Sequence, residues 1–230
     1  PQGDLTSCLG CKDTENLQYT ISDKMMEVIQ CKEGKQFNGI QKHKEGVDLL
    51  PSSSDLFDFE ISLVTAMNRE VLLKSYLSEV KDRYDLILID CSPSLGMMTL
   101  NSLSAADSVV IPVQAHYLPA KCMTQLLRTI SKVKRCINPD LAIDGILLTI
   151  VDNRTNLAKS TVEALRQNFG SHIKIYKSQI PMAVKAAEVA SKGESIFAYE
   201  PNSPVSKAYS EFTKEVLADG KQKERLHSAH

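Results

Sequence analysis

Asp90 is the residue whose surroundings most directly suggest chemistry. It ends the apolar run Asp85-Leu-Ile-Leu-Ile-Asp90 and precedes the small-residue turn Ser92-Pro-Ser-Leu-Gly96. A buried strand that ends in an acid and leads into such a turn is the Walker-B arrangement, which brings the carboxylate to the carboxyl edge of a parallel sheet. There it can hold a Mg²⁺-bound water beside a phosphate. The pattern alone fits equally well an aspartate that caps the helix after the turn.

The elements around Asp90 predict an α/β fold with a mostly parallel sheet flanked by helices. Three further runs of strand length lie at 108–113, 142–151 and 172–176. Because they are continuously apolar rather than alternating, they fit strands buried on both faces. Helical periodicity at 119–136 and 157–169 separates them, as expected for right-handed βαβ crossovers.

The remaining segments are less regular. A helix over 21–30 is expected to be capped by Ser22, and 47–51 fits a short strand. Further helices are predicted at 54–68, 69–80, 182–191 and 203–218. We expect a single domain over 1–230 that ends in a polar C-terminal tail at 219–230, since 230 residues suffice for one ordinary α/β domain.

Composition excludes several classes of protein. The 27 Lys and Arg nearly balance the 28 Asp and Glu, so the chain is not a uniformly basic nucleic-acid binder. It has no apolar run of about 18 residues that could span a membrane, and residues 1–20 do not resemble a signal peptide. A cytoplasmic protein with reduced cysteines is therefore expected. Cys8 and Cys11 have C-x-x-C spacing but lack the second pair that a zinc site normally needs.

The whole string from Tyr84 to Gly96 resembles the ParA family (Soj-like) of chromosome- and plasmid-partitioning ATPases. The resemblance covers roughly residues 1–218 and implies a P-loop NTPase fold of the deviant-Walker class. Matching segments run along most of the chain; they are Pro1-Gln-Gly3, Leu49–Ser52, Leu100–Asp107, Ile111–Gln114, Leu147–Leu157 and Ile180–Gly193. One departure is His116, where many relatives have Glu in a Q-x-E-Y stretch; a surface-loop variation is the simplest explanation.

The largest departure is at the start. The family's K-G-G-x-G-K-T loop, which cradles phosphates with backbone N–H groups, does not occur in the 230 residues, and both Gly-Lys pairs are followed by Gln. We therefore expect the first strand, the P-loop and the acid that precedes Pro1 to be absent, as in an N-terminally truncated chain. The neighbours of that strand would lose ladder partners, and the chain alone would neither bind ATP tightly nor hydrolyse it.

The resemblance implies roles for individual residues. Asp90 would be the catalytic residue that serves Mg²⁺ through water. The groups around ATP would be Ser92, Pro93 and Ser94 at the γ-phosphate, Asp152 and Pro181 near adenine, and Pro1, Gln2 and Gly3 in the switch beside the P-loop. Arg154 and Lys185 would contact DNA.

Charge patterning adds a cationic face. From Lys121 to Glu188 the bases exceed the acids by six, and Lys159, Arg166, Lys174 and Lys177 are plausible neighbours of Arg154 and Lys185. Contacts of such a face with DNA would be made to phosphates, independent of sequence and sensitive to salt. On composition alone, a solvated face with no partner remains the alternative.

The family's cycle implies the partners. ATP would be sandwiched in a homodimer that binds DNA non-specifically on the nucleoid, and a ParB-type centromere-binding protein would stimulate hydrolysis. A non-enzymatic DNA-binding regulator of ParA ancestry is the main alternative. A MinD-type membrane tether would need an amphipathic C-terminal helix, but residues 219–230 contain one large apolar residue, Leu226. No G-x-G-x-x-G supports a dehydrogenase.

Overall fold

The computed structural model describes residues 2–14, 16–32, 38–92, 94–115 and 120–227 of the chain. These residues divide into two compact units. The first unit comprises Pro1–Asp107, Thr124–Leu141 and Ala190–Glu194, and the second comprises Ser108–Met123, Ala142–Val189 and Ser195–His230.

The elements follow one another along the chain with a helical first half and an alternating second half. The first half contains α1 (Asp4–Cys8), α2 (Ile21–Ile29), β1 (Gln41–Lys42), β2 (Asp48–Leu49), α3 (Asp55–Ser62), a 3₁₀ turn (Leu63–Thr65), α4 (Leu72–Val80), a second 3₁₀ turn (Lys81–Arg83) and α5 (Met97–Ala105). The second half contains β3 (Ser108–Gln114), α6 (Ala120–Cys136), β4 (Ala142–Val151), α7 (Asn156–Phe169), β5 (Ile175–Pro181), α8 (Val184–Val189), α9 (Ile196–Tyr199) and α10 (Pro204–His227).

The second unit is built on a parallel sheet of strand order β3-β4-β5. Its central strand, β4, buries Ile146 and Leu148 completely, as a continuous apolar run between two neighbours should. The parallel α/β architecture predicted from the apolar runs is thus confirmed.

Several boundaries in the second unit differ from the sequence prediction, and β5 ends at Pro181 and not at Tyr176. The strand predicted at 172–176 is β5, which begins at Ile175 and not at His172. The reason is that the backbone N–H groups of His172 and Ile173 both donate to Phe169 O and close the end of α7. Helix α10 runs to His227, beyond its predicted end at Ala218. No helix among residues 2–14, 16–32, 38–92, 94–115 and 120–227 is long and apolar enough to cross a membrane.

The first unit has a helical core formed by α2, α3, α4 and α5. Met25, Leu63, Leu72 and Tyr76 are among its buried side chains. Helix α2 is capped by Thr20 and not by Ser22, because Asp23 accepts hydrogen bonds from both the N–H (2.7 Å) and the hydroxyl (3.1 Å) of Thr20. This reciprocal capping fixes the start of the helix one turn ahead of its buried face.

The predicted strand at 85–90 is wrong, since this segment pairs with no strand in the part of the chain that the structure describes. Ile89 packs against the core of the first unit. Leu86 and Leu88, in contrast, are 68% and 82% exposed. The physical reason is that a strand exists only through the ladder hydrogen bonds of a neighbour. Its expected neighbour was the strand that the sequence analysis found missing from these residues.

Candidate functional site

The residues predicted to form the nucleotide and DNA sites fall into two groups, one in each unit. Gln2, Gly3, Asp90, Ser92 and Ser94 lie in the first unit. Asp152, Arg154, Pro181 and Lys185 lie in the second unit. Pro1, Pro93 and His116 lie outside the described residues.

In the first unit, Asp90 is exposed and leads into a turn that is tied to the start of α5. Ser92 Oγ accepts a hydrogen bond from Ser94 N at 3.3 Å, and the buried hydroxyl of Thr99 donates to Ser94 O at 2.6 Å. Thr99 therefore holds the turn that follows the carboxylate. The sequence analysis missed Thr99, although a threonine in the first turn of the next helix was visible.

A second group that the sequence analysis missed is Glu60 on α3. Its Oε1 accepts a hydrogen bond from Met98 N at 3.2 Å, so a carboxylate caps the positive end of α5. A Cβ at Gly96 would overlap the same oxygen, so a side chain there would force the Glu60 carboxylate to shift. Glu60 and Met98 lie 38 positions apart along the chain, and no local pattern links them.

Gly3 occupies a separate place in the first unit. It has a left-handed backbone (φ 68°) and precedes α1, where Gly3 O accepts a hydrogen bond from Ser7 N at 2.9 Å. Gln2 is exposed. A side chain at position 3 would come within 3.3 Å of Ser52 O, so the glycine permits a close approach to the segment after β2.

In the second unit, the register of β4 and β5 brings the two predicted adenine-proximal residues to one edge. Val151 pairs with Pro181, and Met182 N donates to Val151 O at 3.1 Å. Asp152 follows Val151 directly, so Asp152 and Pro181 leave the sheet side by side at its carboxyl edge, where open α/β folds bind ligands. Ile150 just before this edge has φ 52°, a strained backbone for a β-branched residue and one often found at functional sites.

Arg154 folds back onto Asp152. Its Nε and one terminal nitrogen donate to the two carboxylate oxygens, each at 2.9 Å. This hydrogen bond and the charge of Asp152 raise the pKa of the Arg154 guanidinium above its ordinary value. The Arg154 side chain is nevertheless 90% exposed, whereas that of Asp152 is 17% exposed. The Arg154 guanidinium is thus exposed to solvent while it is bound to the mostly buried Asp152 carboxylate.

Lys185 lies on α8, directly after β5, and forms an ion pair with Glu200 at the end of α9. The hydrogen bond to Glu200 is the main reason that the pKa of the Lys185 ammonium lies above its ordinary value. Both groups remain partly exposed. Arg154 and Lys185 therefore follow neighbouring strands at the same carboxyl edge of the sheet.

Three of the four predicted basic neighbours divide into two kinds. Lys159 and Arg166 line an open cleft of about 570 Å³ on α7, together with Glu163 and three side-chain amides, Asn153, Gln167 and Gln179. Lys174 instead forms ion pairs with Glu215 and Asp219 of α10. The structure thus leaves Lys159 and Arg166 facing an open surface and engages Lys174 internally.

Metal-ligand clustering gives no further site. In the described parts of the chain, no three His, Cys, Asp or Glu side chains are grouped so that they could hold a metal ion directly. The remaining candidate is Asp90, for which a water-mediated role was predicted.

Comparison with known proteins assigns the family. Residues 1–143 match the family model described as an AAA domain. The chain is 41% identical over 222 residues to the sporulation initiation inhibitor protein Soj of Bacillus subtilis, covering 96% of this chain and 84% of that protein. It is 36% identical over 217 residues to the chromosome partitioning protein ParA of Myxococcus xanthus, covering 94% and 74%.

The fold also matches a solved structure. Cobyrinic acid a,c-diamide synthase of Mycobacterium smegmatis matches with a TM-score of 0.80 and 30% identity, covering 94% of this chain and 78% of that one. The same protein solved with an ATP analogue and magnesium matches with a TM-score of 0.73 over 88% and 80% of the two chains. By sequence and by fold, the chain belongs to the ParA/Soj-like family of chromosome-partitioning ATPases.

Proposed function

We propose that the protein is a ParA-type partitioning ATPase that acts in plasmid or chromosome segregation. ATP would drive formation of a homodimer that binds DNA non-specifically on the cytoplasmic nucleoid, and a ParB-type partner would stimulate hydrolysis. The observation that carries the proposal is the Val151–Pro181 register, which brings Asp152, Arg154 and Lys185 to one carboxyl edge of the parallel sheet. Family membership supports the same assignment.

The residues present fit ATP and Mg²⁺ in part. Asp90 offers an exposed carboxylate, the oxygen ligand that Mg²⁺ prefers, here acting through a water. Ser92, Pro93 and Ser94 would sense the γ-phosphate, Gln2 and Gly3 would belong to the adjoining switch, and Asp152 and Pro181 would lie near adenine. Bound ATP with Mg²⁺ would supply the phosphoryl group and its charge neutralisation. The contribution of these residues would be to orient the bound nucleotide.

The phosphate cradle is the group that does not fit, since the 230 residues contain no K-G-G-x-G-K-T loop. Most of the binding energy for the phosphates would come from that loop. We therefore expect these residues alone to give no measurable heat when they are titrated calorimetrically with ATP and Mg²⁺. Micromolar affinity would overturn this part of the proposal.

The DNA-binding role is tested by removing both cations. Arg154→Ala with Lys185→Ala should weaken retention of a short duplex and flatten its salt dependence, by roughly 0.9 in slope for each lost phosphate contact. Lys214→Ala is a matched control, because Lys214 is an exposed, ion-paired base on α10. Unchanged affinity of the double variant at low salt would count against the role.

The alternative is a non-enzymatic DNA-binding regulator of ParA ancestry. The two functions differ in their need for nucleotide. In the duplex assay without nucleotide, a regulator should bind DNA at physiological salt, whereas a partitioning ATPase should bind only weakly and only at low salt.

A further inference from the structure

Two carboxylates hold the two cations that we assign to DNA. We propose that Asp152 and Glu200 are positioning residues that set the affinity of the DNA site. Each holds its cation in an intramolecular ion pair, and a DNA phosphate must replace the carboxylate in that pair. The inference rests on the proposed DNA-binding role of Arg154 and Lys185. It concerns sequence-independent binding to the phosphate backbone of duplex DNA.

The first pair is built for a bidentate grip. The Arg154 guanidinium presents Nε and a terminal nitrogen to the two oxygens of Asp152, which is the same fork that Arg offers to a phosphate. Arg154 N also donates to Asp152 Oδ1 at 3.1 Å. The backbone oxygen of Asp152 accepts from Thr155 N at 3.0 Å and from Thr155 Oγ1 at 2.9 Å. The backbone at Asp152 is therefore held in its turn, and the exposed Arg154 side chain is the group that is able to move.

The second ion pair, between Lys185 and Glu200, has a similar arrangement at the ends of other helices. The backbone oxygen of Glu200 accepts hydrogen bonds from Ser203 N at 3.1 Å and from the buried Ser206 Oγ at 2.6 Å. Glu200 is thereby anchored between α9 and α10. Lys185 reaches it from α8 with a long, flexible side chain that remains 55% exposed. Again the backbone of the acid is fixed by hydrogen bonds, and the exposed base is able to turn outward.

Competition between carboxylate and phosphate follows from these geometries. Exposed ion pairs stabilise a fold only weakly, so a phosphate can displace the internal partner without unfolding the unit. The displaced carboxylate nevertheless stays beside the bound phosphate and repels it. Replacing each acid by its amide removes this competition and keeps the shape and the backbone hydrogen bonds of the loop.

The test uses the full 230-residue chain, a fluorescent duplex of random sequence and no nucleotide, so that the adenine assignment of Asp152 cannot contribute. Glu200→Gln and Asp152→Asn should each tighten binding about three- to tenfold at low salt and steepen the salt slope. The gain from Glu200→Gln should disappear when Lys185 is already Ala, and the gain from Asp152→Asn should disappear when Arg154 is already Ala.

Glu211→Gln is the matched control. It removes the same charge from an exposed ion pair on α10 and should change affinity less than twofold. An unchanged affinity of Glu200→Gln and Asp152→Asn, or an equal gain without the paired cation, would overturn the inference while leaving the DNA role of the cations intact. If the wild type shows no binding at low salt, or if removing both cations has no effect, the proposed DNA role itself fails.

Discussion

Glu215 on α10 and Ser178 on β5 join the last helix to the edge of the sheet. Glu215 Oε2 accepts hydrogen bonds from Ser178 N at 3.2 Å and from Ser178 Oγ at 3.1 Å, and Oε1 accepts from Lys177 N at 3.0 Å. Because β5 lies at the edge of the three-stranded sheet, these backbone donors have no strand partner on that side among the described residues. A charged side chain thus covers an edge that could otherwise pair with another chain.

Replacing Glu215 should therefore destabilise the second unit. In Glu215→Gln an amide N–H₂ faces a backbone N–H, and we expect a loss of about 1–3 kcal/mol in the free energy of unfolding. Chemical denaturation followed by circular dichroism measures it. Glu211→Gln on the same helix should change stability by less than about 0.5 kcal/mol. Equal stability of the two variants would show that the hydrogen bonds from β5 to Glu215 do not stabilise the fold.

The hydrogen bonds to Glu215 also predict that the stability of the fold depends on pH. Burial alone would raise the pKa of the Glu215 carboxyl, but the hydrogen bonds from Lys177 and Ser178 and the charge of Lys174 outweigh it and lower the pKa. A pKa that is lower in the folded than in the unfolded state stabilises the fold above the unfolded value of about 4.3. That contribution is lost as the pH falls through the folded pKa. The stability difference between wild type and Glu215→Gln should accordingly shrink below about pH 4.3.

Asn101 is the buried polar junction of the first unit. Its side chain is fully buried, its Oδ1 accepts from Leu73 N at 3.1 Å, and its Nδ2 donates to Arg69 O at 2.7 Å and Met97 O at 3.1 Å. Asn101→Ala leaves these groups unpaired, so we expect a loss of about 2–3 kcal/mol in denaturant unfolding. Asn16→Ala, at an exposed asparagine that bonds only its neighbour Asp13 among the described residues, should be nearly neutral.

Local patterns predict local structure well in this chain. The bounds of β4 were predicted correctly because its residues are mainly apolar, and those of α7 to within one residue because its apolar spacing repeats every helical turn. The Asp152–Pro181 neighbourhood was expected from the family resemblance, which implied that both residues lie near adenine. These features depend on residues close together in sequence or on the family resemblance.

The remaining features depend on distant partners. Glu60 reaches Met98 N and Glu200 reaches Lys185 across elements that no periodicity relates. The segment 85–90 has the composition of a strand, yet strand formation needs a neighbour that its own residues cannot encode. Sequence therefore identified Asp90 and the basic residues as candidates, but not Thr99, Glu60 and Glu200, which contact the turn after Asp90, the start of α5 and Lys185.

Gly145 tests the contact between β4 and β5. Its φ is +156°, and a Cβ there would lie 2.8 Å from Lys174 O and 2.9 Å from Tyr176 Cε2. Because Lys174 O also accepts from Ile146 N at 2.8 Å, it cannot move away easily. Gly145→Ala should cost about 1–3 kcal/mol in thermal or denaturant unfolding. Gly220→Ala in α10, where a Cβ meets nothing within 4 Å, should be neutral or stabilising by up to about 1 kcal/mol. A stable Gly145→Ala variant would contradict the close packing.

Leu88 tests whether the segment 85–90 has a strand neighbour in the isolated chain. With its side chain 82% exposed, Leu88→Ala should change the free energy of unfolding by less than about 0.5 kcal/mol. Leu63→Ala, at a leucine that is fully buried in the same unit, should cost about 2–5 kcal/mol. Leu88→Lys should further reduce self-association in light scattering, because an unpaired apolar segment promotes pairing between chains. A loss of several kcal/mol in Leu88→Ala would instead mean that the segment is buried against a neighbouring strand in solution.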